Sequence, residues 1–139
     1  MSEEEIIARI ADALPPYAQG LGLSVDRVEG RMPVIAMPFG QRVEGRPGYL
    51  HGGSSSGLLE IAGFTALQTH LALQDRAAKL KPVNVTVQFL RGARSETTYA
   101  VGRVTRAGGR TANVDIEAWQ SDRAKPVATA VMNFILSDA

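Results

Sequence analysis

The sequence contains no cysteine, which excludes disulfide frameworks, thiolate nucleophiles and cysteine-held zinc. Its only histidines are His51 and His70, and it has no HExxH pattern, so a catalytic zinc site is not expected. An excess of one charge is also missing: 15 Lys and Arg against 14 Asp and Glu leave a formal net charge of +1. A dedicated nucleic-acid or membrane-surface binder would carry a large basic excess. No stretch approaches the roughly 20 apolar residues of a membrane span. The N-terminus, MSEEEIIARIADAL, begins with acids where a signal peptide begins with bases. These absences point to a cytoplasmic protein with neither nucleic acid nor membrane among its partners.

What is present suits one domain over residues 1–139, since 139 residues at 45% hydrophobic are enough to bury a core. Ser2 and Glu5 have the spacing of a capping box, and Ile6, Ile7, Ile10, Ala13 and Leu14 recur at helical spacing until Pro15-Pro16. Residues 1–19 therefore read as an N-terminal helix and its connection. Residues 21–28 and 32–37 suit two strands joined by Glu29-Gly30-Arg31, and glycines and Pro47 make 39–50 a loop. Residues 58–73 lack proline and are apolar nearly all the way round, the pattern of a helix buried on every side. Four further strands, 83–90, 97–105, 111–120 and 127–136, follow with short connections, which predicts an antiparallel meander. The sum is α+β: a curved antiparallel sheet wrapped around one long central helix.

The segment GYLHGGSSSGLLE, residues 48–60, bears most directly on function. A flexible linker is a poor reading, because the run leads straight into the most apolar helix of a one-domain chain. A phosphate loop needs lysine after its last glycine, and Gly57 is followed by Leu58. Residues 53–57 match G-x-S-x-G, but the only later histidine, His70, falls on the same helix, so the nucleophile-elbow context is missing. A helix start fits best. Two glycines let a ligand approach the backbone, and first-turn N–H groups, lacking internal partners, can stabilise an oxyanion.

Glu60 is the only Asp, Glu, Lys or Arg from Gly52 through Gln74, and its helical neighbours Ser56, Gly57, Gly63 and Phe64 are uncharged. A carboxylate in such surroundings is costly, and function is a common reason to accept the cost. The plainer reading is a Glu hydrogen-bonded to backbone or packed at a wet rim. At about 1.5 Å per residue, Gly53 and Glu60 lie about 10 Å apart along one helix, too far to act together on one carbon. If both act on one substrate they come from different chains, so antiparallel helices across a two-fold axis are expected.

At these residues the sequence resembles the hotdog-fold thioesterases, particularly the PaaI-like branch named for the phenylacetate pathway. The family pattern G-x-x-H-G-G with an acid nine residues after the His is met by Gly48, His51, Gly52, Gly53 and Glu60. VNVTVQFLRGA, VTRAGGRTANVDIEAW and PVATAVMNFIL look like the family's strands after the helix. The resemblance implies hydrolysis of a fatty or aryl acyl-CoA to free acid and CoA, by a homodimer or a dimer of dimers, with CoA as part of the substrate and no other cofactor. It implies that the Gly53 amide polarises the thioester carbonyl beside Gly52, and that Glu60 of the partner chain is nucleophile or general base. His51 would orient the site, donate a proton to the leaving thiolate, or simply cap the helix. Many relatives carry Asn six residues before the His; Gly45 stands there, and Gln41 or Arg46 could substitute. Arg91, Arg106 and Arg110 are the candidates for the CoA phosphates, and Thr86 and Gln88 for the acyl pocket, with an ordinary solvated surface as the alternative for both sets. Two other functions stay open: acyl-CoA or small-aromatic binding without turnover, and a hotdog hydratase or dehydratase, whose histidine normally lies in a different loop pattern.

Overall fold

Ser2 caps the first helix as its spacing predicts. The computed structural model describes all 139 residues, beginning with α1, Glu3–Ala13. The Glu5 N–H donates to Ser2 Oγ at 3.1 Å and the Ser2 N–H donates to Glu5 Oε1 at 3.3 Å. That backbone donor, and then the Ser2 hydroxyl, hold the Glu5 carboxyl below its ordinary range. Ile6 and Ile10 are buried as α1 packs against the first strands. The short α2, Pro16–Gly20, has proline at its first position, where the missing N–H costs nothing.

β1, Ser24–Glu29, and β2, Met32–Met37, form the expected hairpin. Gly30 and Arg31 both have positive φ, 55° and 68°, as a two-residue type I′ turn requires. The remaining elements are α3 (Gly52–Leu73), β3 (Lys79–Phe89), β4 (Thr98–Ala107), β5 (Thr111–Trp119) and β6 (Ala128–Ser137). α3 begins six residues before the apolar run from which it was read. Glycine and serine are weak helix formers, and burial of Ser54, Ser55 and Gly57 supports this first part instead.

The six strands make one antiparallel sheet in the order β1-β2-β4-β5-β6-β3. The four-strand meander expected from sequence is therefore a three-strand one, β4-β5-β6, with β3 on the far side of β6. Residues 90–97 are no hairpin turn: they cross the end of the sheet, where Tyr49 bridges Arg94 and the Leu50 N–H donates to Ala93 O at 2.9 Å. β2 takes the place beside β4 that β3 would have needed.

The sheet curls around α3, whose length of about 33 Å follows from 22 residues at 1.5 Å each. Inward residues include Ile35 and Met37 of β2, Ala100 of β4, Val114 and Ile116 of β5, and Met132 and Phe134 of β6. Helix and sheet meet most closely at Gly102. A Cβ there would lie 2.7 Å from Ala66 Cβ and 3.0 Å from Ala62 O, so the backbones of β4 and α3 approach only because three positions are small. This is the hotdog architecture implied by the sequence resemblance.

Candidate active site

His51 is the N-cap of α3. Its extended backbone aims the ring at the first turn, and Nδ1 accepts the Gly53 N–H at 2.8 Å. That bond needs an unprotonated Nδ1, so neutral His51 carries its proton on Nε2. The His51 carbonyl accepts the Ser54 and Ser55 N–H groups at 3.0 and 3.2 Å. One first-turn donor is left over: the Gly52 N–H has no acceptor within the protomer. The Gly53 amide, expected from sequence to receive the carbonyl, is thus committed to His51, and its neighbour is free.

Gly52 lines a cavity of about 410 Å³ with Leu50, Ser55, Phe89, Leu90 and Arg91, among others. Phe89 Cζ would lie 3.4 Å from a Cβ on Gly52, so the ring closes over a surface that glycine keeps flat. The loop before His51 is tightly tied. The His51 N–H donates to Val43 O at 2.9 Å, Gly45 N–H to Tyr49 O at 2.9 Å, and Gly48 N–H to Glu44 Oε2 at 2.9 Å. A Cβ on Gly45 would lie 3.0 Å from His51 Cα and 3.3 Å from His51 N. A Cβ at the position where the resemblance implies Asn would therefore be crowded by His51. The two residues named from sequence as substitutes have separate surroundings. Arg46 lies over the Tyr49 ring, 3.9 Å from its centroid, and Gln41 lines a separate depression with Leu21 and Pro38.

Glu60 lies two turns into α3 on a particular stripe. Ser56, Glu60, Phe64, Gln68 and Ala72, spaced by four, are each half-buried, whereas most neighbouring residues of the helix are fully covered. The sheet leaves this face unfinished. Phe64 reaches the Phe134 ring, with centroids 6.2 Å apart, and the enclosed Gln68 Oε1 has no hydrogen-bond partner. None of the four ion pairs includes Glu60. Eight residues, about 12 Å along the axis, separate Glu60 from the Gly52 amide of its own chain.

The other sequence candidates are scattered. Arg91 lines the Gly52 cavity, whereas Arg110 lies at the far end of α3, in a depression with Arg76, where the Arg76 guanidinium donates to Gly109 O at 3.1 Å. Arg106 lies beside Gly108 at that same end. With the length of α3 between them, the three arginines of one protomer cannot share a ligand. Thr86 and Gln88 are exposed on the outer face of β3, in an open cleft with Thr129 and Val131, while Val85 and Val87 point to the core. The alternation of β3 thus removes Thr86 and Gln88 from the cavity beside Gly52. One neighbour was not singled out from sequence: Tyr17 of α2 lies against α3 at Gly57, where a Cβ would overlap its hydroxyl. A glycine inside an otherwise unbroken helix was its only signal. No group of three or more His, Asp or Glu side chains is placed to hold a metal, and no helix is long and apolar enough to cross a membrane.

A profile of the thioesterase superfamily matches residues 47–127. The chain belongs to that superfamily. Solved structures agree on the fold. A thioesterase from Haemophilus influenzae superposes with a TM-score of 0.81 at 18% identity, over 99% of this chain and 92% of that one. A thioesterase variant from Pseudomonas aeruginosa gives 0.81 at 24% identity, over 100% and 96%. A protein from Chromobacterium violaceum is 35% identical over 96% of this chain and 91% of its own, with a TM-score of 0.72. No curated protein sequence matches the chain.

Proposed function

We propose that this superfamily member hydrolyses acyl-CoA thioesters as a symmetric pair, or a pair of pairs, in the cytoplasm, in the manner of the PaaI-like branch. The observation that carries the proposal is the position of Glu60. It is the single acid of α3, on the one face the sheet leaves open, too far from its own chain's free Gly52 amide to share a carbon with it. A second copy placed antiparallel on that face supplies the missing half of each site. The other unfinished surface supports the same pairing: β3 is an edge strand, and Val83 and Phe89 on it are 53% and 59% exposed.

In this arrangement the Gly52 N–H receives the thioester carbonyl, and helix-start polarity favours the charge that develops on oxygen. Glu60 of the partner takes a proton from water, and the water oxygen bonds to the carbonyl carbon. The tetrahedral oxyanion collapses, the C–S bond breaks, and the thiolate leaves with a proton returned by the Glu60 carboxyl. His51 keeps Gly53 and the turn in place, with Nε2–H as its remaining donor.

The test is thiol release from short, medium, long and aryl acyl-CoAs by the protein and by Glu60→Gln. Loss of a general base lowers turnover about 10²- to 10⁴-fold. Equal release by both proteins would remove Glu60 from the mechanism. Gly45, with no side chain where the resemblance implies Asn, favours a second reading, an acyl-CoA binding protein without turnover. Binding of esters with no thiol released by either protein would select it.

A further inference from the structure

Beside the Gly52 cavity stands a cluster that the hydrolytic mechanism leaves unused. The Tyr49 ring has the Arg46 guanidinium 3.9 Å and the Arg94 guanidinium 5.0 Å from its centroid. Arg91, three residues from Arg94, lines the cavity itself. All three arginines are exposed, and none takes part in an ion pair. Two acids are near in sequence. Glu44 accepts the Gly48 N–H, and Glu96 is exposed one residue beyond Ser95.

The cluster is built rather than incidental. Tyr49 and Arg94 are bridged backbone to backbone, and the Tyr49 N–H donates to Arg46 O at 3.0 Å. The Gln120 side chain clamps Arg94 from both sides, its Oε1 accepting the Arg94 N–H and its Nε2 donating to Arg94 O, both at 3.0 Å. A Cβ on Gly92 would lie 3.1 Å from the Tyr49 ring, so glycine there lets the ring seat. A tyrosine ring in contact with two guanidinium groups restrains their side chains, and pre-ordered arginine forks suit phosphate oxygens.

We infer that Arg46 and Arg94, ordered about Tyr49 and joined by Arg91, form the subsite for the phosphates of the CoA nucleotide, Arg91 being the one of the three sequence candidates that lies beside the cavity. The assignment rests on the acyl-CoA reading above. Tyr49 is three residues from Gly52, at most about 10 Å along the chain, and each arginine adds its own reach. The thioester at Gly52 and the phosphates at the platform are then joined by the pantetheine arm along the cavity. The platform makes the carrier, rather than the acyl group, the part of the substrate recognised by charge.

The experiment measures calorimetric binding of adenosine 3′,5′-bisphosphate, together with KM for an acyl-CoA and for the same acyl group on N-acetylcysteamine, which carries no phosphate. The proteins are the wild type, Arg46→Gln, Arg94→Gln and, as a control on the outer sheet face, Arg103→Gln. Expected are bisphosphate binding weakened about 10- to 100-fold by each of the first two changes, a matching rise in KM for the CoA ester, and an unchanged N-acetylcysteamine ester. Thermal unfolding at the wild-type temperature shows that the variants are folded. No bisphosphate binding by the wild type, or equal binding by all four proteins, overturns the platform even where thiol is released. Binding lost in the two platform variants without thiol release from any ester leaves the platform standing and removes the hydrolysis.

Discussion

Restoring at position 45 the Asn that many relatives carry should damage this protein rather than improve it. The added Cβ would meet His51 Cα at 3.0 Å and His51 N at 3.3 Å, both backbone atoms and short of ordinary van der Waals contact by several tenths of an ångström. His51 cannot yield freely, because its N–H is tied to Val43 O and its ring to Gly53. Overpacking of this kind costs about 1–3 kcal/mol. Gly45 does not have a positive φ, so about 0.4–1 kcal/mol is recovered from the unfolded chain, leaving a net loss of about 1.3 kcal/mol at the midpoints of the two ranges. Unfolding entropy of about 2.1 cal/mol/K per residue over 139 residues converts that to a fall in Tm of about 4–5 °C. Scanning calorimetry of Gly45→Ala and Gly45→Asn measures the fall, and the thiol assay should show Gly45→Asn below wild type, since the loop carries His51. An unchanged Tm with faster thiol release would refute the reasoning and make Gly45 a plain loss of a useful side chain.

Two further outcomes test the fold and the pairing. Phe64→Arg places a charge on the unfinished stripe of α3, next to Phe134. It should give a single copy by light scattering and lose thiol release by about the 10²- to 10⁴-fold expected of Glu60→Gln, with Glu60 intact. Gly102→Val drives a branched side chain into Ala62 and Ala66 and should cost at least about 1–3 kcal/mol, read as a lowered denaturation midpoint with an unchanged slope.

The amino-acid sequence carries the local pieces clearly. Ser2 and Glu5 announce α1, the Gly30-Arg31 turn separates β1 from β2, and the two-residue alternation marks the later strands. Glu60 stands out in the sequence because a lone acid in an apolar helix is costly to enclose. Properties set by tertiary contact were hidden. Nothing in β3 itself states that its neighbour is β6, and its alternation sorts Val85 and Val87 from Thr86 and Gln88 without saying which pair faces α3. The helical state of residues 52–57 depends on burial that outweighs poor propensity. Which glycine amide remains free depends on a ring nitrogen two residues away, and the separation of Arg91 from Arg106 and Arg110 depends on the length of the helix between them.

The half-covered face of α3 makes concentration a variable of the chemistry. On the proposed pairing each site is assembled from two chains, so dilution below the dissociation constant of the pair removes activity as the square of the chain concentration. Complementation follows from the same geometry. A chain without the Glu60 carboxylate and a chain with a spoiled helix start, each inert alone, regain one working site of two when they pair with each other.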